Sequence, residues 1–290
     1  MQPQELTNAP RKSRKSEATA QSSLPCPDIS TENPPGLGTA RACGDSPKAT
    51  ETENWRDFLD NIRAAKGKLR TQGPFWYRGH ANPDYILTPT LFRAPANVVK
   101  EKDLFNDYER SAARLMAKRD SDWELLFDMQ HYGIPTRLLD WTEVLGVAIA
   151  FAMYDSKSDC QDSAIYILDP VSLNSKSGID GIKRVPGDPG FEYKSIYWDN
   201  SPFAAIYPIA IDPPLQSDRM FAQKATFTIH GRDPKSLGAQ CPDSVQKVLL
   251  PSSAKPAARE FLEHAALDAY SIYPDIVGMA RHIRKKHLDM

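Results

Sequence analysis

The chain has 290 residues, 41% of them hydrophobic and 25% charged, which is enough apolar material for one large soluble domain or two small ones. A net charge of −1 supplies no global field for nucleic acid or an anionic membrane, so a polyanion would need a local patch. No apolar run is long enough to span a bilayer and the N-terminus has no signal-peptide stretch, so the expected location is cytoplasmic, with no membrane partner.

Residues 1–50 contain no Phe, Trp or Tyr and are rich in Pro, Ser, Thr, Asn and Gln. Such a segment cannot bury enough surface to offset its ordering entropy, so it is expected to be a disordered tail, with one folded domain over 51–290. Trp55, Phe58, Leu59 and Ile62 fall at helical spacing, and a strand is expected over 74–80. Asn82-Pro83-Asp84 signals a turn, and Tyr85-Ile86-Leu87 reads as a short strand or extended segment. Helices follow over about 98–119 and from Trp123 to Gln130, the second stopped by Gly133. The run Val144 to Met153 is apolar almost all round and predicts a buried helix at the centre of the core, with Thr142 as its N-cap. Residues 169–200 are loop-rich, either a lid or an insertion. Strands are expected at 164–168, 205–211, 225–229 and 245–250, and two helices, about 254–267 and 275–288, close the chain. The basic run Arg281 to His287 reads first as a solvated helix end. Cys26, Cys43, Cys160 and Cys241 form no CxxC pair, which argues against a disulfide framework or a zinc site; no metal is expected.

Two polar words punctuated by glycine stand out. In the first, Trp76-Tyr77-Arg78-Gly79-His80, a guanidinium ends a strand beside a glycine that permits a turn or close approach. Arg78 either binds a phosphate bidentately or pairs with a buried carboxylate such as Asp140. The second word runs from Gln130 through His131, Tyr132, Gly133, Pro135, Thr136, Arg137, Asp140 and Trp141 to Thr142. His131 either serves a site or caps the last helix carbonyls. Tyr132 either lines the site or packs with its hydroxyl satisfied. Thr136 and Arg137 are read just ahead of a helix N-terminus, a natural anion site, and Asp140 is placed where exposed backbone N–H groups stabilise a carboxylate. Arg78, Arg137 and Asp140 are expected to converge on one pocket. Gln223, at the entrance to the 225–229 strand, is either a ligand for a ribose hydroxyl or an ordinary surface residue. P-loop, GxGxxG, HExxH, GxSxG and DxDxDG patterns are absent, which removes kinase, simple dehydrogenase, zinc protease and α/β-hydrolase readings.

These words, with Leu87-Thr88-Pro89-Thr90-Leu91-Phe92-Arg93 between them, resemble the FRG-domain family, named for its aromatic-Arg-Gly motif. Weaker similarity continues through Ala164–Asp169, Arg219–Phe227 and Tyr273-Pro274-Asp275, with Ala225 where a glycine is expected. The resemblance implies an α+β fold: a mixed or antiparallel sheet core with packed helices, on the plan of the ADP-ribosyltransferases. It also implies NAD as substrate. Arg78 would then hold the pyrophosphate or the nicotinamide ribose, and Gln223 would stand where the transferases carry a glutamate. Because an amide stabilises oxocarbenium-like charge poorly, Asp140 becomes the first choice of acid. Tyr77, Gly79, His131, Tyr132, Thr136, Arg137, Trp141 and Thr142 would line the pocket. The implied setting is a toxic effector in bacterial antiphage defence or a toxin–antitoxin system. It would act on a protein or nucleic-acid acceptor and be held by an antitoxin or other partner protein. The alternatives are a nucleotide or nucleic-acid binding module, or an interaction scaffold, neither with catalysis.

Overall fold

A computed structural model describes residues 48–69, 73–116, 118–154 and 160–288. Most of the expected tail therefore lies outside the described residues, and its last three positions already belong to the first helix, α1 (Lys48–Lys68). Seven strands form one mixed sheet: β1 (Trp76–His80), β2 (Leu138–Thr142), β3 (Ser163–Leu168), β4 (Lys183–Arg184), β5 (Ile209–Asp212), β6 (Ala225–Ile229) and β7 (Val245–Leu250). Their order is β4-β5-β6-β2-β1-β3-β7, and every pairing is antiparallel except β4 with β5. Between β1 and β3 five residue pairs are in register, and between β2 and β6 another five. β1 meets β2 through the single pair Tyr77↔Thr142, so the sheet parts into two halves beyond that point.

The helices in chain order are α2 (Pro95–Val98), α3 (Glu101–Ala112), α4 (Asp122–His131), α5 (Leu145–Tyr154), α6 (Pro170–Ser175), α7 (Asp218–Gln223), α8 (Leu237–Gln240), α9 (Lys255–His264), α10 (Ala269–Ile272) and α11 (Ile276–Leu288). On one face of the sheet, the β1-β3-β7 half is covered by α1, α5 and α9. There Tyr77, Ile165, Ile167 and Val248 pack with Phe58, Ile62, Ala148, Ile149 and Leu262. The expected central helix is α5, and Ala148, Ile149, Ala150 and Ala152 are fully buried in it. A second cluster sets Leu138, Ile209, Ile211, Phe227 and Ile229 against Phe105 of α3, and Trp123 and Phe127 of α4. The opposite face buries Trp76, Leu139, Trp141, Leu168 and Val245 beneath Leu87, Leu173 and Leu237.

Gly79 explains how α5 lies so close to β1. A Cβ at this position would stand 1.9 Å from the Ala148 carbonyl oxygen and 2.7 Å from the Ala152 nitrogen. The glycine therefore makes room for a helix. Gly133 has a different task, taking φ +78° just after α4, where only a residue tolerant of the left-handed region turns the chain without strain.

Several expectations need correction. Of the two readings of Tyr85–Leu87, the strand is not formed; Tyr85 and Ile86 are exposed and Leu87 is buried. The expected 98–119 helix is shorter, since α3 ends at Ala112. The segment from Leu138 to Thr142, read as the approach to a helix, is strand β2. Thr142 keeps part of its capping role, its hydroxyl accepting from Val144 N at 3.1 Å. Residues 169–200 do not form a lid, because Phe191, Tyr193, Ile196 and Tyr197 are buried in the same core cluster as the side chains of β5 and β6. The strand expected over 205–211 is formed only from Ile209 onward and ends at Asp212. Cys160 is disulfide-bonded, whereas Cys241 is a free, buried thiol. Among the described residues no helix is long and apolar enough to cross a membrane.

Candidate functional site

The site is built where the sheet parts. Side chains alternate along a strand, so Arg78 shares its face with Trp76 and His80, while Asp140 projects with Leu138 and Thr142 from the other. In a continuous ladder these two would not meet. Here the guanidinium enters the gap: its Nη1 donates to the Asp140 carbonyl oxygen at 2.6 Å and lies 3.5 Å from Oδ2 of the same residue. Its Nε donates to His80 Nε2 at 2.9 Å. Nη2 has no hydrogen-bond partner among the described residues. The Arg78 side chain is 20% exposed and that of Asp140 54%, so the pair stands at the mouth of the split.

His80 fixes the other edge of the guanidinium. Burial, and then the charge of Arg78, push its pKa down to about 3, so it is neutral at ordinary pH. Since Nε2 accepts from Arg78, the ring proton belongs on Nδ1, 3.3 Å from the Tyr85 carbonyl oxygen. Tyr166, opposite Arg78 on β3, donates to the same carbonyl at 2.9 Å and meets the His80 ring edge-on. Burial lowers the Arg78 pKa, Asp140 opposes that fall, and Arg93 adds to it.

A second line of bonds positions Asp140. Gln130 Nε2 donates to Asp140 Oδ2 at 2.9 Å, and Gln130 Oε1 accepts from Thr136 Oγ1 at 2.5 Å. The Thr136 oxygen in turn accepts from Leu138 N at 3.0 Å, which ties the side-chain chain to the start of β2. His131 and Tyr132 follow Gln130 out of α4, their rings edge to face. With Arg119, Asp128, Gln216 and Met220 they line a cleft of about 100 Å³. Burial, then the charge of Arg219, lower the His131 pKa.

Arg137 does not join Arg78. It is buried, and its Nε and Nη2 bind both oxygens of Glu101, the latter at 2.6 Å, while Nη1 donates to the Gly231 carbonyl at 2.9 Å. Tyr193 OH also donates to Glu101, at 2.8 Å, and the rings of Phe92 and Tyr197 flank the guanidinium. The expected three-way convergence is thus reduced to Arg78 and Asp140, because Arg137 is saturated by a carboxylate 36 residues upstream. Tyr77 is buried against α5 and Trp141 in the opposite core, its Nε1 donating to Thr228 Oγ1 at 3.0 Å. Thr142 is buried, its hydroxyl donating to the Gln223 carbonyl at 2.6 Å. Gln223 ends α7 just ahead of β6, and its side chain donates to the Ile272 carbonyl at 3.1 Å.

Sequence reasoning passed over three residues of this cluster as site members: His80, Gln130 and Tyr166. The first two stood inside the glycine-punctuated words. Tyr166 was visible as the polar position of an otherwise apolar strand. A larger cleft of about 450 Å³, lined among others by Ile179, Lys183, Asp188, Phe191 and Phe203, contains none of the expected site residues.

Comparison with known families gives one match: the model of the FRG domain covers residues 73–161, the span that carries Arg78, Arg93, Gln130 and Asp140. No curated protein and no solved structure matches the chain.

Proposed function

Starting from the FRG domain that this chain carries over residues 73–161, we propose that the split between β1 and β2 binds a phosphate-bearing nucleotide, NAD first among them. We further propose that the domain consumes NAD as an ADP-ribosyltransferase or glycohydrolase. The observation that carries the binding reading is the Nη2 edge of Arg78, held at the mouth of the split by bonds to His80 and Asp140 yet itself unclaimed among the described residues. A mostly desolvated guanidinium fixed in this way is already oriented for a phosphate oxygen, so little reorganisation opposes binding.

The arrangement of the blocks supports the transferase plan. The Arg-bearing β1, the polar word on β2 and the Gln223–Ala225 segment leading into β6 occupy three adjacent strands. In this reading Arg78 holds the pyrophosphate. Asp140, 3.5 Å from it, stabilises the positive charge that develops on the ribose as nicotinamide leaves. The Thr136–Gln130 bonds keep the carboxylate in place. The family resemblance suggests a toxic effector acting on a protein or nucleic-acid acceptor and restrained by a partner protein.

One observation favours the alternative of binding without turnover. The Asp140 carboxylate is half exposed and already engaged by Gln130 and Arg78, and Gln223, an amide, is turned to the Ile272 carbonyl. Incubating purified protein with NAD, with and without cell extract, separates the readings when nicotinamide release and thermal protection are followed together. Release establishes consumption, protection without release leaves a binding module, and neither overturns the nucleotide site.

A further inference from the structure

Helix α11 turns its apolar side away from the domain. Its first turn is held by Asp275, whose Oδ1 accepts from Gly278 N at 2.7 Å. Gly278 is pressed against α10 and the residue that follows it: a Cβ there would stand 1.9 Å from the Tyr273 carbonyl oxygen and 2.9 Å from that of Ala269. One turn on, and on the same side, His282 Nδ1 lies 2.9 Å from Asp268 Oδ2. Of the described residues of α11, Gly278 alone is buried. Ile276, Met279 and Ile283 are 62%, 40% and 48% exposed. At roughly 100° per residue these three form one stripe about 60° wide, centred about 110° round the axis from Gly278 and His282. An amphipathic helix ordinarily buries such a stripe; this one packs through a glycine and a histidine and leaves the stripe in water.

The i, i+3, i+7 spacing is that of a helix seated against another helix or in a groove, and the charges around the stripe decide between occupants. Arg281 and Lys285 lie about 150–170° from its centre, so a surface that took the stripe would face away from half of the basic run. An anionic membrane or an acid-rimmed groove would need those cations beside it. Lys286 stands on the edge of the stripe near one end, and Asp275 stands on the same edge near the other; both are exposed. Opposite charges at the two ends of one apolar stripe are self-complementary when a second copy lies antiparallel. We propose that α11 pairs with α11 of a second copy of this chain about a two-fold axis, closing a homodimer. With the axis level with residue 281, Met279 of each copy meets Ile283 of the other, and Ile276 lies under the aliphatic stem of the other copy's Lys286. Lys286 is then displaced along the helix from Asp275 of the other copy by a single residue rise, about 1.5 Å. The contact is independent of the nucleotide reading of Arg78.

The test is sedimentation equilibrium of the full chain over a concentration series, wild type against Ile283→Glu, Lys286→Glu and Arg281→Glu. All three side chains are exposed, so each variant is expected to keep the wild-type unfolding midpoint. A single helix pair is a small interface, so wild type is expected to pass from monomer to dimer with a dissociation constant of about 1–100 μM. Ile283→Glu, which places a carboxylate in the stripe, should weaken association at least about tenfold. Lys286→Glu should weaken it about threefold or more by facing Asp275 of the other copy. Arg281→Glu makes the same change in net charge on the far side of the helix and should leave association unchanged. A wild type that stays monomeric up to about 300 μM overturns the pairing and leaves the stripe to a different protein. A dimer indifferent to Ile283→Glu also overturns it, since the contact then lies elsewhere. So does equal weakening by Lys286→Glu and Arg281→Glu, which replaces the antiparallel register with a general effect of charge.

Discussion

Two arginines from the two polar words make opposite use of the same chemistry. Arg137 is enclosed: both carboxylate oxygens of Glu101, a backbone carbonyl and two aromatic faces account for its guanidinium, and Tyr193 completes the carboxylate. Arg78 is held on two sides, by His80 and by the Asp140 backbone, and opens on the third. The first arrangement fixes how α3, the start of β2 and the 191–198 segment meet. The second occupies a gap where ladder bonds are missing, and it keeps a donor in reserve. An arginine in a conspicuous motif therefore does not announce its own role. What decides is whether its hydrogen-bonding capacity is exhausted within the fold.

Breaking the enclosed pair should have the largest effect. Glu101→Gln strands a buried guanidinium, and a loss of about 3–5 kcal/mol is expected in denaturant unfolding. A loss below about 1 kcal/mol would mean that Arg137 is solvated after all. Next comes Gly79→Ala, which tests whether the glycine of the first word serves packing. Because the intruding Cβ meets backbone atoms of α5, a cost toward the upper end of about 1–3 kcal/mol is expected. An unchanged midpoint would show that α5 can retreat from β1.

A pH series samples both regions at once, since a neutral histidine sits beside each arginine. His80 and His230 are both lowered to about 3, chiefly by burial and then by Arg78 and Arg137 respectively. In the unfolded chain each takes up a proton near its ordinary pKa of about 6.5. The folded state, binding fewer protons below that value, has this contribution in full above about pH 6.5 and loses it as the pH falls toward 3. The urea midpoint should therefore begin to drop between pH 6.5 and 5, above the range in which carboxylates titrate. A flat profile across that interval would contradict neutral burial of the two rings. The smallest effect is expected for Asp140→Asn: the Asp140 side chain is half exposed and Arg78 keeps its bond to the Asp140 backbone, so stability should change by no more than about 1 kcal/mol.

Most of the framework was legible. Apolar spacing located α1, α4 and α5, and the strands β1, β3, β6 and β7, within a few residues. β2 was hidden because it is buried on both faces, with Asp140 its one exposed position, so no alternation is visible; Asp140 and Thr142 meanwhile imitate a helix start. The 169–200 stretch was misjudged on its glycines and prolines, although Phe191, Tyr193, Tyr197 and Trp198 were there to signal burial. At the site, the Arg78–Asp140 pairing was readable as a rival to ligand binding, and the structure contains that pair. The partner of Arg137 was not readable nearby. Glu101 does lie on the inward stripe of α3 with Leu104, Phe105 and Tyr108, and an acidic residue there was the available clue.

The central claim is that Arg78 is preoriented for a phosphate and is not merely a fastening between the two half-sheets. It is tested most directly by measuring unfolding and NAD affinity on the same Arg78→Lys variant. An ammonium can reach the Asp140 carbonyl but cannot reproduce the guanidinium fork. The expected result is a folded protein whose midpoint is close to wild type and whose affinity for NAD is reduced at least about tenfold. A folded variant that binds NAD as wild type does would contradict the claim.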